Sequence, residues 1–309
     1  IIVFAVAFAL LGNFSMKVKT ILAVGIFVIL ISLSFSGLEH FEDTRIPGVL
    51  QRIATVYFFT SILYLKTNLK TQLLVLAILL IGYWLLMAFV PVPGFGPANF
   101  DKGTNLAAWL DDTLLNGHLW ASSKTWDPEG ILSTLPAIGT GILGMYIGQL
   151  LNLPIDKIEI VKKTAITGTV LLIGGLFWNL FFPINKSLWT SSYVLYTAGI
   201  ATICLTLLYY IIDMKGYNKW TKLFLIWGVN PMIVFFFSGI IPRALSAIKV
   251  ADPKTAGEEI GLQAYIYNHG IAPCFENPLN ASLAYALSYA IFWSFILWIF
   301  YKKKLIFKV

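Results

Sequence analysis

Long apolar stretches alternate with short polar connections along the chain. A helix of about 20 apolar residues crosses the hydrocarbon core of a bilayer, and slightly shorter helices also span it. Eight stretches qualify, and they cover residues 18–36, 49–65, 72–90, 131–151, 164–182, 189–212, 222–241 and 279–300. The pattern predicts an all-α polytopic membrane helical bundle that forms a single integral membrane domain over residues 1–309.

A ninth apolar run, residues 1–11, is too short to span a bilayer. No basic residues precede it and no small-residue cleavage site follows it, so it lacks the pattern of a secretory signal peptide. We interpret this run as the remainder of a longer helix and expect the chain to be truncated at its N-terminus.

The composition excludes several classes of protein. Hydrophobic residues make up 58% of the 309 residues and charged residues only 12%, about half the charged fraction of ordinary soluble domains. Two cysteines cannot form a disulfide framework or a four-ligand metal site, so we expect neither a metal nor a redox role.

The distribution of charge predicts the orientation, because cytoplasmic loops carry an excess of Lys and Arg. One set of alternating connections, which includes residues 302–304, holds fourteen basic and three acidic residues, whereas the other holds eight basic and twelve acidic residues. The first set, and with it the C-terminus, is predicted to be cytoplasmic. The net charge of +7 then comes from basic cytoplasmic loops that face anionic lipid. We therefore expect the bilayer as a partner and do not expect nucleic acid. The sequence leaves homo-oligomerisation open.

Two arginines flank a predicted helix start in the run Arg45-Ile-Pro-Gly-Val-Leu-Gln-Arg52. Pro47 suits the first turn of a helix, so Arg45 lies just outside the helix, and Gln51 and Arg52 lie inside it. An unpaired arginine deep in a membrane costs about 2.5 kcal/mol or more, which a phosphate or carboxylate partner would offset. The alternative is that Arg52 extends to lipid headgroups or pairs with a carboxylate of the same membrane face.

Two carboxylates precede the predicted helix at residue 131. Asp127 suits an N-cap and Pro128 the first turn, which gives Asp127 a structural explanation. Glu129 is not needed as a cap, and it is therefore a candidate base or ligand for an amine at the mouth of the bundle.

Polar residues in two other places are candidates for binding. Asn185 caps a predicted outer turn, Trp189 suits the membrane interface, and Lys186 is a cation that could approach the same mouth. Asn230 and Pro231 interrupt the stretch 222–241, and broken helices in membranes usually line cavities. The alternative is a kink whose freed carbonyl is satisfied by Asn230 or by a neighbouring helix.

Other features predict which side of the membrane carries the function and how the helices pack. The outer segments 91–130 and 242–278 are long, which is typical of lids or binding surfaces, so we expect function to face outward. Small residues on one helix, Gly141, Gly144 and Gly148, predict close helix packing.

With these residues, the chain resembles the heparan-α-glucosaminide N-acetyltransferase family over nearly its whole length. The resemblance rests on six runs: Arg45-Ile-Pro-Gly-Val-Leu-Gln-Arg52, Pro91-Val-Pro-Gly94, Asp127-Pro-Glu-Gly130, Asn185-Lys-Ser-Leu-Trp189, Ser192-Tyr-Val194 and Tyr301-Lys-Lys-Lys304. It implies a multi-pass acyltransferase of the bacterial cytoplasmic (inner) membrane with about ten spanning helices. This chain would then lack the first helix and the first outer loop.

The resemblance implies acetyl-CoA from the cytoplasm as co-substrate, and an amino sugar or a similar small-molecule or glycan acceptor on the outer side. It also implies an essential histidine in the first outer loop. None of the three histidines of this chain, His40, His118 and His269, matches that residue. This chain alone would therefore be inactive. We assign Glu129 and Asp127 to catalysis. We assign binding of the donor to Arg45, Gln51, Arg52 and Lys186, and binding of the acceptor to Asn185, Trp189 and Asn230.

Two other functions stay open. A transporter or flippase of a polar metabolite would account for the broken helix and the intramembrane polar residues, although no inverted repeat supports it. An inactive or structural membrane partner would account for the missing histidine.

Overall fold

The computed structural model describes residues 45–253 and 259–306, which divide into two compact units, one up to residue 217 and one from residue 218. Helices make up most of both units, so the predicted all-α class is confirmed. The single domain expected over residues 1–309 stays a prediction.

The first unit contains the region that carries most of the candidate residues. Its helices over residues 45–217 are α1 (Val49–Lys66), α2 (Leu69–Phe89), α3 (Leu106–Leu115), α4 (Thr134–Leu151), α5 (Lys157–Trp178) and α6 (Ser191–Tyr209), and α6 continues as a π-helix (Tyr210–Met214).

Side chains cap several of these helices where the sequence offers the right residue. Asn68 accepts a hydrogen bond from the backbone N of Thr71 at 3.0 Å, and Asn105 accepts one from the backbone N of Ala108 at 3.0 Å. Each bond satisfies an amide of the first turn, which has no partner within its own helix. The caps therefore fix where α2 and α3 begin.

Glycines bring two helices into backbone contact. A Cβ on Gly175 of α5 would lie 2.5 Å from the backbone N of Tyr196 in α6. On α4, a Cβ on Gly141 would lie 2.6 Å from Thr60 of α1, whereas Gly144 and Gly148 have no described neighbour within 4 Å. The predicted packing role is thus confirmed for Gly141 alone.

Two polar bonds tie α2 to the chain just before and at the start of α6. The hydroxyl of Tyr83 donates to the carbonyl of Leu188 at 2.6 Å, and the hydroxyl of Ser191 donates to the carbonyl of Leu80 at 2.7 Å. Tyr83 also packs in a buried cluster with Phe182. This part of the core holds the turn before α6 against α2.

The second unit combines helices with a short ribbon. Its described elements are α7 (Lys222–Val229), α8 (Pro231–Ala247), β1 (Lys249–Ala251), β2 (Glu259–Gly261), α9 (Leu262–Tyr265), a π-helix (Ile266–Ile271), a 3-10 turn (Ala272–Cys274) and α10 (Pro278–Lys302). β1 and β2 are antiparallel, with Val250 opposite Ile260.

The predicted interruption at Asn230 is confirmed. α7 and α8 meet at an angle of 72°. Asn230 is fully buried at the junction and donates to the carbonyl of Leu305 at 3.0 Å. α8 then continues through Pro242, beyond the predicted end at residue 241.

Five described helices are long and apolar enough to cross a membrane, namely α2, α4, α5, α6 with its π-helix, and α10, and α7 with α8 can form a sixth, bent span. The multi-pass character is therefore confirmed, and the number of eight spans stays a prediction. The predicted span 18–36 lies outside the described residues. α1 forms where the sequence predicts a helix, but its polar residues keep it out of this group.

Several predicted boundaries are wrong. α4 begins at Thr134 and not at residue 131, and α5 occupies Lys157–Trp178 in place of 164–182. α6 begins at Ser191, two residues after the predicted start. The outer segment 91–130 contains α3, which the sequence pattern did not predict.

Candidate functional site

The site begins with an ion cluster between Arg45 and the segment 127–131, which we call the carboxylate turn. Arg45 Nε donates to Asp127 Oδ2 at 2.7 Å, and its Nη2 donates to Asp127 Oδ1 at 2.5 Å and to Glu129 Oε2 at 2.6 Å. The hydrogen bond to Asp127 raises the pKa of Arg45 above its ordinary value. One guanidinium thus forms ion pairs with two carboxylates.

The two carboxylates differ in access. The side chain of Asp127 is 0% exposed, and that of Glu129 is 17% exposed. Asp127 is held by two bonds of Arg45, whereas Glu129 receives a single one. Glu129 is therefore the carboxylate of this pair that an incoming molecule can reach.

The predicted N-cap role of Asp127 is wrong. α4 begins at Thr134, and the residue at its N-cap position is Ser133. The Asp127 carboxylate instead accepts from the backbone N of Glu129 at 2.9 Å and from Arg45. Residues 131–133 form turns, so the first turn of α4 lies too far along the chain for the Asp127 carboxylate to cap it.

Arg52 lies one helical turn inside α1 and is only 6% exposed. Its Nη2 donates to the carbonyl of Gly130 at 3.3 Å and to the hydroxyl of Ser133. Its guanidinium carbon lies 5.2 Å from the centre of the Trp189 ring. The Nε and Nη1 atoms of Arg52 are buried without a hydrogen-bond partner.

The alternative in which Arg52 extends to headgroups or pairs with a carboxylate is wrong, and the phosphate partner stays a prediction. The buried side chain does not extend to headgroups, and within residues 45–253 and 259–306 no carboxylate forms an ion pair with it. A backbone carbonyl, a hydroxyl and an aromatic face surround it, and none of these groups carries a full negative charge.

The turn before α6 places Trp189 over Arg52. Trp189 has a φ of +52°, in the left-handed region that larger residues seldom adopt. Its indole Nε1 donates to Thr140 Oγ1 on α4 at 3.1 Å. Asn185 accepts from the backbone N of Ser187 at 2.9 Å, so its side chain stabilises this turn from within.

Three other candidate residues do not join the cluster. Lys186 is exposed and forms no ion pair with any described residue. Gln51 is exposed, and its side chain lies against Gly48. Asn230 belongs to the second unit.

Sequence reasoning did not identify Asp111 of α3 as a site residue. Asp111 is 1% exposed and accepts a hydrogen bond from the backbone N of Ile131 at 2.9 Å. Burial raises the pKa of Asp111 from 3.8 to about 6, although the amides of Ile131 and Asp127 lower it. The sequence contains one signal: Asp111 follows Ala107 and Ala108 at helical spacing, which places it on the same helix face as these small apolar residues. That face is buried in the structure.

A small cavity lies behind the carboxylate turn. It has a volume of about 10 Å³, enough for about one water molecule. Its polar lining comes from Asn105, Asp111, Asp127, Ser133 and Ser187. The described residues contain no group of three or more His, Cys, Asp or Glu side chains arranged to hold a metal ion.

Two curated proteins are similar to this chain. The heparan-alpha-glucosaminide N-acetyltransferase of Homo sapiens is 29% identical over 279 residues, which cover 74% of this chain and 42% of that protein. The protein of the same name from Mus musculus is 26% identical over 351 residues, which cover 97% of this chain and 50% of that protein. The chain spans about half the length of these relatives. No known family profile matches it.

The resemblance stated from the sequence motifs is confirmed, because the curated homologues are heparan-alpha-glucosaminide N-acetyltransferases. The similarity covers most of this chain.

Proposed function

We propose that this chain forms the donor-binding part of a membrane N-acetyltransferase. The enzyme transfers an acetyl group from cytoplasmic acetyl-CoA to the amine of an amino sugar, or of a similar acceptor, on the outer side of the membrane. The apolar helices and the names of the two relatives support this proposal. In this proposal the basic connections and the C-terminus lie in the cytoplasm, and the membrane is the cytoplasmic membrane of a bacterium.

Arg52 is the observation that carries the proposal. Arg45 already has two carboxylate partners, whereas Arg52 is buried with two unpartnered nitrogen atoms and forms no ion pair with a described carboxylate. Buried N–H groups of a cation that lack a hydrogen-bond partner cost several kcal/mol, so a negatively charged oxygen within hydrogen-bond distance of Arg52 would stabilise the site. The thioester end of acetyl-CoA supplies such an oxygen at its carbonyl, which becomes negatively charged during acyl transfer.

The carboxylates suit the acceptor side of the reaction. The amine nitrogen attacks the thioester carbonyl carbon, the new N–C bond forms, the C–S bond breaks and CoA leaves as its thiolate. Glu129 can orient the ammonium form of the acceptor and take its proton, because it is the reachable carboxylate. Asp127 is fully buried and bidentate, so it holds Arg45 in place.

The remaining candidate residues have peripheral roles in this proposal. Lys186 is exposed in the turn that carries Trp189, where its charge can favour the oxyanion that forms at the thioester carbonyl of the donor. Asn185 fixes that turn, and Trp189 covers the face of Arg52.

Donor binding by the purified chain tests the proposal without requiring turnover. In detergent, acetyl-CoA should raise the melting temperature of the chain, because a ligand that binds only the folded state stabilises it. Acetate and ADP serve as comparison ligands. Arg52→Gln should remove the effect, and Arg243→Gln, which changes an exposed arginine of α8, should leave it intact. No shift at millimolar acetyl-CoA in a folded chain would reject donor binding.

A transporter is the second candidate, and the 72° break at Asn230 is the observation that favours it. Proteoliposomes that contain the chain would be given radiolabelled glucosamine without any acyl donor. Uptake above that of empty liposomes, lost in Asn230→Leu and kept in Arg52→Gln, would support transport over acetyl transfer.

A further inference from the structure

Asp111 fixes the carboxylate turn from behind. Its Oδ1 accepts the backbone N–H of Ile131 at 2.9 Å, at the end of the turn. A Cβ on Gly130 would lie 2.5 Å from the carboxylate carbon of Asp111, so the backbone of Gly130 rests directly on this side chain. The Asp111 carboxylate therefore sets where the last two residues of the turn lie.

The position of this turn decides what both arginines contact. Asp127 and Glu129 are the partners of Arg45, and the carbonyl of Gly130 accepts from Arg52. A shift of the turn would change both contacts at once. The helix that carries Asp111 supplies no hydrogen bond or ion pair to either arginine, so its influence on their positions passes through the turn. The charge of Asp111 also acts on Arg52 through space.

We propose that Asp111 is a positioning residue of the site: it holds the carboxylate turn against the two arginines, and its charge controls how tightly the site binds an anionic ligand. The second clause rests on the proposed function, in which acetyl-CoA is that ligand. Asp111 does not touch the donor in this scheme.

The charges around Asp111 explain the control. Titratable and charged groups face it from three elements: Asp127 from the carboxylate turn, Arg52 from α1 and Tyr83 from α2. With Asp111 neutral, two arginines balance the two carboxylates of the turn. With Asp111 ionised, the cluster around Arg45 and Arg52 carries a net negative charge, which repels an anion.

Burial gives Asp111 a titration near neutrality, with a pKa of about 6. An anion at Arg52 favours the neutral form of Asp111, and by linkage the neutral form favours the anion. Affinity for acetyl-CoA should therefore fall as the pH rises through 6. The repulsion from one additional negative charge, partly screened, corresponds to a fall in affinity of about threefold to tenfold.

The first experiment measures the Kd of acetyl-CoA between pH 5.5 and pH 7.5 for the purified chain and two variants. Asp111→Asn should bind about as tightly as the wild type at pH 5.5 and about threefold to tenfold more tightly than the wild type at pH 7.5. The phosphomonoester of the donor also titrates in this range, with a second pKa of about 6, but its effect cancels in the ratio of the two Kd values. Asp112→Asn, the same change on the neighbouring residue, should keep the wild-type profile. A ratio of the wild-type Kd to the Asp111→Asn Kd that does not change with pH would overturn the charge control.

The second experiment needs no ligand and measures hydrogen–deuterium exchange of the backbone amides of residues 127–131. Asp111→Ala removes the acceptor for Ile131 and should speed exchange of that amide at least about tenfold, whereas Asp112→Ala should not. Asp111→Asn retains an acceptor and serves as the variant that folds if Asp111→Ala does not, with a smaller acceleration expected. Unchanged exchange in both Asp111 variants would overturn the positioning role.

The two experiments separate the two proposals. A wild-type chain that binds no acetyl-CoA, but whose turn loosens in the Asp111 variants, would reject the proposed function and retain the positioning role. If the chain binds acetyl-CoA through Arg52, but the Asp111 variants change neither the exchange of the turn nor the pH profile, the proposed function is retained and the positioning role is rejected.

Discussion

Gly130 and Asp111 lie so close that any side chain on Gly130 would overlap the Asp111 carboxylate, with 2.5 Å between the position of a Cβ and the carboxylate carbon. The contact joins α3 to the carboxylate turn, and the sequence pattern did not predict it. It also makes Gly130 the position of the turn where substitution has a defined steric consequence.

Gly130→Ala should lower the free energy of unfolding by roughly 1–3 kcal/mol, because the added methyl must displace a buried carboxylate. Thermal or denaturant unfolding in detergent measures the change. Gly82→Ala in α2 is the matched control, since a Cβ there has no described neighbour within 4 Å, and it should be neutral or slightly stabilising. Equal effects of the two substitutions would contradict the steric argument.

Arg45→Met should destabilise the chain by roughly 2–3 kcal/mol, because it leaves the buried carboxylate of Asp127 without its cation. The side chain of Arg45 is 32% exposed, so the cost stays below that of a fully buried pair. A double-mutant cycle with Asp127→Asn measures the coupling. The double variant should be less destabilised than the two single changes added together, and strict additivity would show that the pair does not interact.

The free energy of unfolding should fall as the pH rises from about 4 to about 6. In this range Asp111, with its pKa raised from 3.8 to about 6 by burial, keeps its proton in the folded chain and loses it in the unfolded chain. The unfolded state then binds fewer protons, so stability decreases with pH, by on the order of 2–3 kcal/mol across the window. Asp111→Asn should flatten the slope, and Asp112→Asn should leave it as it is.

Trp189→Phe should cost about 0.5–1.5 kcal/mol, because it removes the hydrogen bond from the indole to Thr140 while leaving an aromatic face over Arg52. Thr140→Val removes the other partner. If the bond matters, the double variant will cost less than the sum of the two single variants in thermal unfolding. A melting temperature unchanged in Trp189→Phe would rule out this contribution.

The helices were predictable where their residues are apolar throughout, as in α2 and α10, because length and apolar content suffice to identify a membrane helix. α3 was missed because it is ten residues long, is interrupted by three consecutive polar residues and depends for its stability on packing one face. The start of α4 was misplaced because residues 131–133 form turns, which their apolar content does not distinguish from helix, and because Asp127, a good cap by type, pairs with Arg45, 82 residues away.

Within the site, residue type indicated that Arg45, Asp127, Glu129 and Arg52 carry chemistry, but it could not indicate which groups pair. Both arginines were equally good partners for the carboxylates in the sequence. The fold places only Arg45 within reach and leaves Arg52 to a carbonyl and a hydroxyl. Such pairings depend on the relative placement of α1 and the turn before α4.

The burial of Arg52 has a consequence for the biogenesis of the chain. Its partners Gly130 and Ser133 follow it by 78 and 81 residues, so α1 leaves the ribosome long before they do. During that interval α1 carries an uncompensated guanidinium and is a weak signal for insertion into the membrane. α1 should therefore settle in the bilayer only once α4 has been synthesised and can receive it, which makes its insertion a late, assisted event in the assembly of the bundle.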